Sequence, residues 1–279
     1  MKRLSILVLA IATIAFVASS CQKEGQFNPS KKIKSAVIEK LNEDDNMEIS
    51  RKITYKWDNN LLVEEAIDNG SVVSSRFTYD SKKRISEINT SDNIRLVYTY
   101  NGNKIATIEE SHNGTLSRTY VFNHDNFGYI TSIDVNVPER YKGTEVYANS
   151  SINPLFFMPT EIATDIQTTM LKSKATDKFY AFVYDSNNNI EQMQINGIIF
   201  KYKYDNKRNP LYGFYDILSI DFDWIFAKHN VIERSVTDQS DPDFKQTVKY
   251  EYTYSGNYPL TQIVRDDSGV IRERTTFTY

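Results

Sequence analysis

The sequence predicts an all-β protein. The expected architecture is one large curled antiparallel sheet, a β-meander of repeated hairpins that is open or partly closed like a barrel, with a short apolar insert near 211–227 that has room for a helical turn or two. Three observations carry this expectation. First, an aromatic-x-aromatic pair recurs at Tyr55/Trp57, Phe77/Tyr79, Tyr98/Tyr100, Tyr120/Phe122, Phe182/Tyr184, Tyr202/Tyr204, Tyr252/Tyr254 and Phe277/Tyr279, and all but the last are followed by Asp, Asn or Ser. The second aromatics are spaced by 22, 21, 22, 62, 20, 50 and 25 residues, and 62 is close to three periods. A fixed spacing of this size marks a repeat architecture. Second, Asn-Gly steps at Asn69, Asn101, Asn113 and Asn196 supply tight hairpin turns. Third, rings alternate with polar residues, as Phe200, Tyr202 and Tyr204 do with Lys201 and Lys203. One face is therefore aromatic and the other wet, as in an antiparallel sheet with a solvated side.

Composition agrees with a folded protein. Of 279 residues 40% are hydrophobic, 13% aromatic and 25% charged, enough apolar material for a core. One cysteine excludes an internal disulfide and a Cys-based zinc cage. A formal net charge of −3 gives no electrostatic footprint for nucleic acid.

The chain opens on Met1-Lys2-Arg3 followed by an apolar run from Leu4 to Val17. That run is short for a bilayer span and fits the apolar region of a secretory signal. Ala18-Ser19-Ser20-Cys21 then resembles the lipobox of bacterial lipoproteins, in which the cysteine becomes the lipid-modified first residue. Cys21 is accordingly expected to be a lipid-attachment site and membrane anchor, with residues 1–20 a signal peptide. Removing Lys2 and Arg3 would take the net charge from −3 to −5. Gln22-Lys23-Glu24-Gly25 is similar to the Lys-plus-acid signals that send Bacteroidetes-type lipoproteins to the cell surface. This implies a lipid-anchored outer-membrane protein that leans toward surface display. Residues 21–32 are polar, with Gly25 and Pro29, and read as a flexible tether to a single β domain over 33–279.

Each repeat reads as strand, turn, strand, turn. Apolar pairs such as Ile85/Ile88, Ile105/Ile108, Ile130/Ile133 and Ile190/Met193 follow the aromatic pairs after a polar turn. Two strands of ~6–7 residues and two short turns fill about twenty-one positions, so about fourteen strands are expected. Interruptions fall at about 138–170, which contains Asn153-Pro154, and from Asn209 to about His229, which contains Asn209-Pro210. Proline removes a ladder donor, so both Asn-Pro steps should end strands. The second interruption is strongly apolar, with Ile217, Leu218, Ile220, Phe222, Trp224, Ile225 and Phe226, and is expected to cover an open end or face of the sheet.

Tyr79-Asp80-Ser-Lys-Lys-Arg84-Ile85-Ser-Glu-Ile88 resembles the YD repeat of rearrangement-hotspot and teneurin shells, with Lys83 and Asn188 standing where that repeat usually has Gly. With the lipoprotein start, the layout resembles a Bacteroidetes-type lipoprotein family of unknown function built from degenerate repeats. The resemblance covers about 33–279, implies an all-antiparallel β domain and brings no catalytic residues.

The search for chemistry returns little. His112, His124 and His229 have no metal-ligand spacing and read as polar turn residues. Asp185-x-Asn187-x-Asn189 opens like a calcium loop, but Ile190 replaces the needed Gly and Asn196 stands where a bidentate Glu belongs. Asp221 and Asp223 beside Trp224 suggest a glycosidase carboxylate pair, but alternation with Ile220 and Phe222 reads more simply as one wet and one buried face. Lys31-Lys32 and Lys82-Lys83-Arg84 read as solvated tether and turn charges. No catalytic residue, metal site or cofactor is assigned. The expected function is a non-enzymatic, lipid-anchored binding or structural module whose partners are the membrane and a glycan or envelope protein. A glycan-active hydrolase and a carrier of a hydrophobic molecule are the alternatives.

Overall fold

The computed structural model describes residues 24–42, 46–138, 178–218 and 225–279. The expected signal peptide, Cys21, nearly all of the first interruption, and Asp221, Asp223 and Trp224 lie outside the described residues.

The metered aromatics fall on alternate strands of a meander: β1 (Ser35–Leu41), β2 (Met47–Asp58), β3 (Leu61–Asp68), β4 (Val72–Tyr79), β5 (Ile85–Thr90), β6 (Ile94–Asn101), β7 (Lys104–His112), β8 (Thr115–His124), β9 (Ile130–Asn136), β10 (Lys178–Tyr184), β11 (Ile190–Ile195), β12 (Ile198–Arg208), β13 (His229–Asp238), β14 (Lys245–Ser255), β15 (Tyr258–Arg265) and β16 (Ile271–Thr278). Every strand pairs antiparallel with its sequence neighbours, and β1 pairs with β16 from Ser35↔Thr278 to Lys40↔Glu273, which closes a barrel of sixteen strands among the described residues. The expected curled sheet is thus fully closed, with two strands more than the spacing suggests. Closure leaves no free sheet edge among the described strands.

Side-chain alternation sets which face looks inward. Tyr55, Phe77, Tyr98, Tyr120, Phe182, Tyr202, Tyr250 and Phe277 are buried, as are Ile85, Ile105, Ile130 and Ile190 on the intervening strands. Lys52, Lys56, Arg76, Lys201, Lys203 and Glu251 are exposed on the outer wall. The lumen is not uniformly apolar, because Glu65, Glu110, Arg118, Arg234 and Glu273 are buried within it. These charges lie in the half of each strand away from the aromatic-pair turns.

All the aromatic-pair turns meet at one rim, and there the register breaks. A bulge falls at or beside the second aromatic of β2, β4, β6, β10, β12 and β14. On the other side of these strands, hydrogen bonding stops short of the rim. β5 and β6, for instance, pair only from Glu87↔Val97 to Asn89↔Arg95. The second aromatic staples the splayed ends. Tyr79 donates to the Leu62 carbonyl (2.6 Å), Tyr100 to Ile85 (2.6 Å), Tyr184 to Ile130 (2.9 Å), Tyr204 to Ile190 (2.6 Å) and Tyr279 to Pro259 (3.0 Å). The Trp57 indole does the same to Ile33 (2.7 Å). Carbonyls that lose their ladder partner need another donor when buried, and this supplies the physical reason for the repeat.

Candidate functional site

The stapled rim is covered by two segments, and between them lies the candidate site. The first is the chain leading into β1. The sequence reads as flexible tether here, but from Glu24 onward the segment lies across the rim as a strap. Phe27 is fully buried and stacks on Phe214 with ring centres 4.7 Å apart. The Ile85 amide donates to the Gly25 carbonyl (2.9 Å), and the Glu24 amide donates to the Asn103 carbonyl (3.2 Å). At the fourth repeat, where Phe122 has no hydroxyl, the Glu24 carboxylate meets the unpaired strand start, accepting from the Ile105 amide (2.6 Å) and lying 3.0 Å from the His124 ring. Gly25 has φ +76°, and a Cβ there would fall 2.1 Å from the Tyr100 hydroxyl, so only glycine fits under that staple.

The second segment comes from the interruption between β12 and β13, whose described residues 209–218 and 225–228 enter the lumen as a plug. Pro210 ends β12 as expected. The Asn209 amide donates to the Lys228 carbonyl (3.0 Å) and its side chain donates to the Ala227 carbonyl (2.9 Å), which clips the two ends of the plug together at the rim. Leu211, Phe214, Tyr215, Ile217, Ile225 and Phe226 are buried. Phe214 contacts Tyr55 and Phe77, Phe226 meets Phe182 edge-on at 5.4 Å, and the Tyr215 carbonyl accepts from Tyr98 (2.7 Å). Only Ile225 and Phe226 are helical among the described residues of this segment, and 211–218 is turn and irregular chain rather than the helical turn expected there.

The barrel has solved counterparts. Its fold is similar to that of a porin-like protein from Bacteroides uniformis at 11% identity and TM-score 0.52, over 90% of this chain and 98% of that one. A porin-like protein from Bacteroides vulgatus aligns at 8% identity and TM-score 0.52, over 90% and 99%. At these identities the likeness is one of fold. No family model and no curated protein matches the sequence.

Strap and plug leave a cleft of about 660 Å³ at the rim. Gln26, Asn28, Pro29 and Ser30 of the strap form one side, and Arg208, Tyr212, Lys228, His229 and Tyr258 contribute to the rest. Each is held by local chemistry. The Arg208 amide donates to the Asn257 carbonyl (2.9 Å), and its guanidinium donates to the Ser30 hydroxyl (2.9 Å), which in turn bonds the Tyr258 hydroxyl. The Asn189 side-chain NH2 donates to Asp185 (3.0 Å), so its oxygen accepts from the Lys228 amide (3.0 Å) and faces His229 Nδ1 at 3.1 Å. His229 therefore carries its proton on Nδ1, leaving Nε2 as the second polar atom of the ring. Burial, with Tyr129 and Glu24 nearby, pushes the Tyr212 hydroxyl up to about 12, so it is a neutral donor. No carboxylate lines the cleft among the described residues. A smaller adjoining cavity of about 90 Å³ shares Tyr212 and Lys228 and contains Glu24, whose carboxylate is occupied by Ile105 and His124.

The three histidines lie apart, and among the described residues no group of His, Cys, Asp and Glu could hold a metal ion. They are less bland than turn residues, since His124 clasps the strap, His112 lies against Glu110, and His229 borders the cleft. The Asp185 carboxylate caps the amides of Asn187 and Asn189. Arg84 corrects the expectation of a solvated turn charge. It is buried, pairs with Asp80 at 2.6 Å, donates to the Gly102 carbonyl and lies 3.8 Å from the centre of the Tyr100 ring. Lys31 and Lys32 likewise cover the Tyr279 and Trp57 rings. Sequence reasoning missed the buried charges. Glu110 accepts from Tyr120 (2.6 Å), Arg118 (3.1 Å) and Ser117 and also meets His112, so its lone pairs are spent on holding four side chains.

Proposed function

We propose that the chain is a lipid-anchored envelope protein of the outer membrane, held by Cys21, that binds a ligand and neither conducts nor catalyses. One observation carries this reading: strap and plug fill the lumen behind the aromatic-pair rim with Phe27, Phe214, Tyr215 and Phe226, while the outer wall is charged. The two Bacteroides proteins of similar fold are porin-like, which makes a pore the competing reading. A water-filled membrane barrel has an apolar outer band and a polar interior. Here Lys52, Lys56, Lys201 and Lys203 occupy outward positions, and aromatic rings point in. The YD-like turns and the lipobox-like start of the sequence support a repeat lipoprotein. The cleft at the strapped rim is the binding site this reading assigns. A carrier of an acyl chain would need room among the same rings.

Metabolic labelling with a palmitate analogue is expected to mark the full chain and not C21S, and the C21S chain is expected to leave the membrane fraction. Purified protein added to planar bilayers is expected to give no conductance steps. Labelling that persists in C21S would overturn the anchor, and reproducible steps would overturn the binding reading in favour of a pore.

A further inference from the structure

We propose that the cleft between strap and plug binds a phosphate-bearing ligand, a phosphoester of a small polyol, through Arg208 and Lys228. The inference deepens the reading of the protein as a binding module and rests on it. Arg208 and Lys228 form no ion pair among the described residues, and the single side-chain bond of Arg208 is to the neutral Ser30 hydroxyl. A guanidinium has five donors in a fixed fork, so most remain for a ligand. Lys228 is half-buried, its backbone fixed by Asn209 and Asn189. Cations in a concave, carboxylate-free site focus a positive potential that is not cancelled locally. Nearby acids are already committed: Asp185 to turn amides and Asn189, and Glu24 to Ile105 and His124.

Ligand class follows from the donors. Fork, ammonium and the neutral Tyr212 hydroxyl together exceed what the two oxygens of a carboxylate can accept, and suit the three or four oxygens of a phosphate. The volume, about 660 Å³, is far more than a bare phosphate fills. Tyr212, Tyr258 and Pro29 line the remainder and offer flat surfaces to the carbons of a glycerol or sugar. Such a group occurs both as a phospholipid headgroup and as a soluble ester. The rim position makes either reachable, because only Gln22 and Lys23 separate Cys21 from Glu24, at most ~10 Å of extended chain.

The test is calorimetric titration of the full chain in neutral detergent with inorganic phosphate, glycerol 1-phosphate and, as a non-phosphate control, glycerol. Wild type is expected to bind both phosphates and not glycerol, with glycerol 1-phosphate the tighter. R208Q/K228Q should bind at least tenfold more weakly, while K52Q/K56Q, which removes equal charge from the outer wall, should match wild type. The single variant K228Q, which leaves the Arg208–Ser30 bond intact, and thermal melts of every variant separate lost binding from lost folding. Vesicles of phosphatidylcholine with and without phosphatidylglycerol identify the source. Retention that needs phosphatidylglycerol and Arg208/Lys228 points to a headgroup, and binding of glycerol 1-phosphate without such retention points to a soluble ester. Repeating the titration in C21S keeps this question apart from anchoring. No binding by wild type, or equal binding by R208Q/K228Q and wild type, would overturn the proposal.

Discussion

Tyr100 shows why a tyrosine, and not merely an aromatic, repeats along the chain. Its ring fills the rim, its hydroxyl meets the Ile85 carbonyl, and Arg84 lies on its face. Burial pushes that hydroxyl well above the usual tyrosine range, so it stays protonated and donating at any physiological pH. Tyr100→Phe keeps the ring and removes the staple, leaving a carbonyl without its donor. The expected loss is about 1–2 kcal/mol in urea unfolding. Thr99→Ala, next door on the outer wall, removes only an exposed cross-strand bond to the Thr107 hydroxyl (2.6 Å) and should cost less, about 0.2–1 kcal/mol. Lys83 makes the complementary case. It sits at φ +60°, and Asn188, in the corresponding turn, at φ +63°. Glycine adopts that region freely, whereas a residue with Cβ is strained by ~1 kcal/mol. Lys83→Gly is therefore expected to stabilise the fold by about 0.5 kcal/mol and raise the unfolding midpoint, after the added freedom of the unfolded chain is subtracted. A lower midpoint would show that the Lys83 side chain contributes more than its backbone strain removes.

At the scale of elements, the strap and the plug depend on each other through one stacked ring pair. Phe27→Ala removes the ring that meets both Phe214 and Trp57. A loss of about 3–4 kcal/mol is expected, together with faster proteolytic cleavage between Glu24 and Lys34 than at any hairpin turn. Cleavage unchanged from wild type would show that the strap is held by its backbone bonds alone. These two elements also mark where the sequence stops being readable. Strands and turns are visible because their period is short and local, and the Asn113-Gly114 and Asn196-Gly197 turns have the positive φ at both residues that such pairs favour. The plug announces itself as an apolar run between Asn209-Pro210 and β13. The strap does not, because Phe27 is one aromatic in a polar stretch with no periodicity around it. The buried charges are present in the phase of the pattern: Arg118-x-Tyr120-x-Phe122 and Glu273-x-Thr275-x-Phe277 put a charge on the same face as the rings. The cleft joins Gln26 and Ser30, Arg208 and Tyr212, Lys228 and His229, and Tyr258, and no local rule connects segments so far apart.

For the molecule as a whole, the barrel has inward rings and a charged wall, the reverse of the pattern of a water-filled membrane barrel. Its stability is spread around the ring of strands, so no single hairpin dominates it. That distribution explains why the repeats can be degenerate. The fourth repeat lacks the staple hydroxyl, at Phe122, and the turn at Lys83 carries a side chain at positive φ, without breaking the meander.

Pairing of β1 with β16 has a consequence for biogenesis. The seam joins the first described strand with the last, so the cylinder cannot be sealed until both have left the ribosome. Until then both flanks of the growing ribbon are bare templates for misassociation.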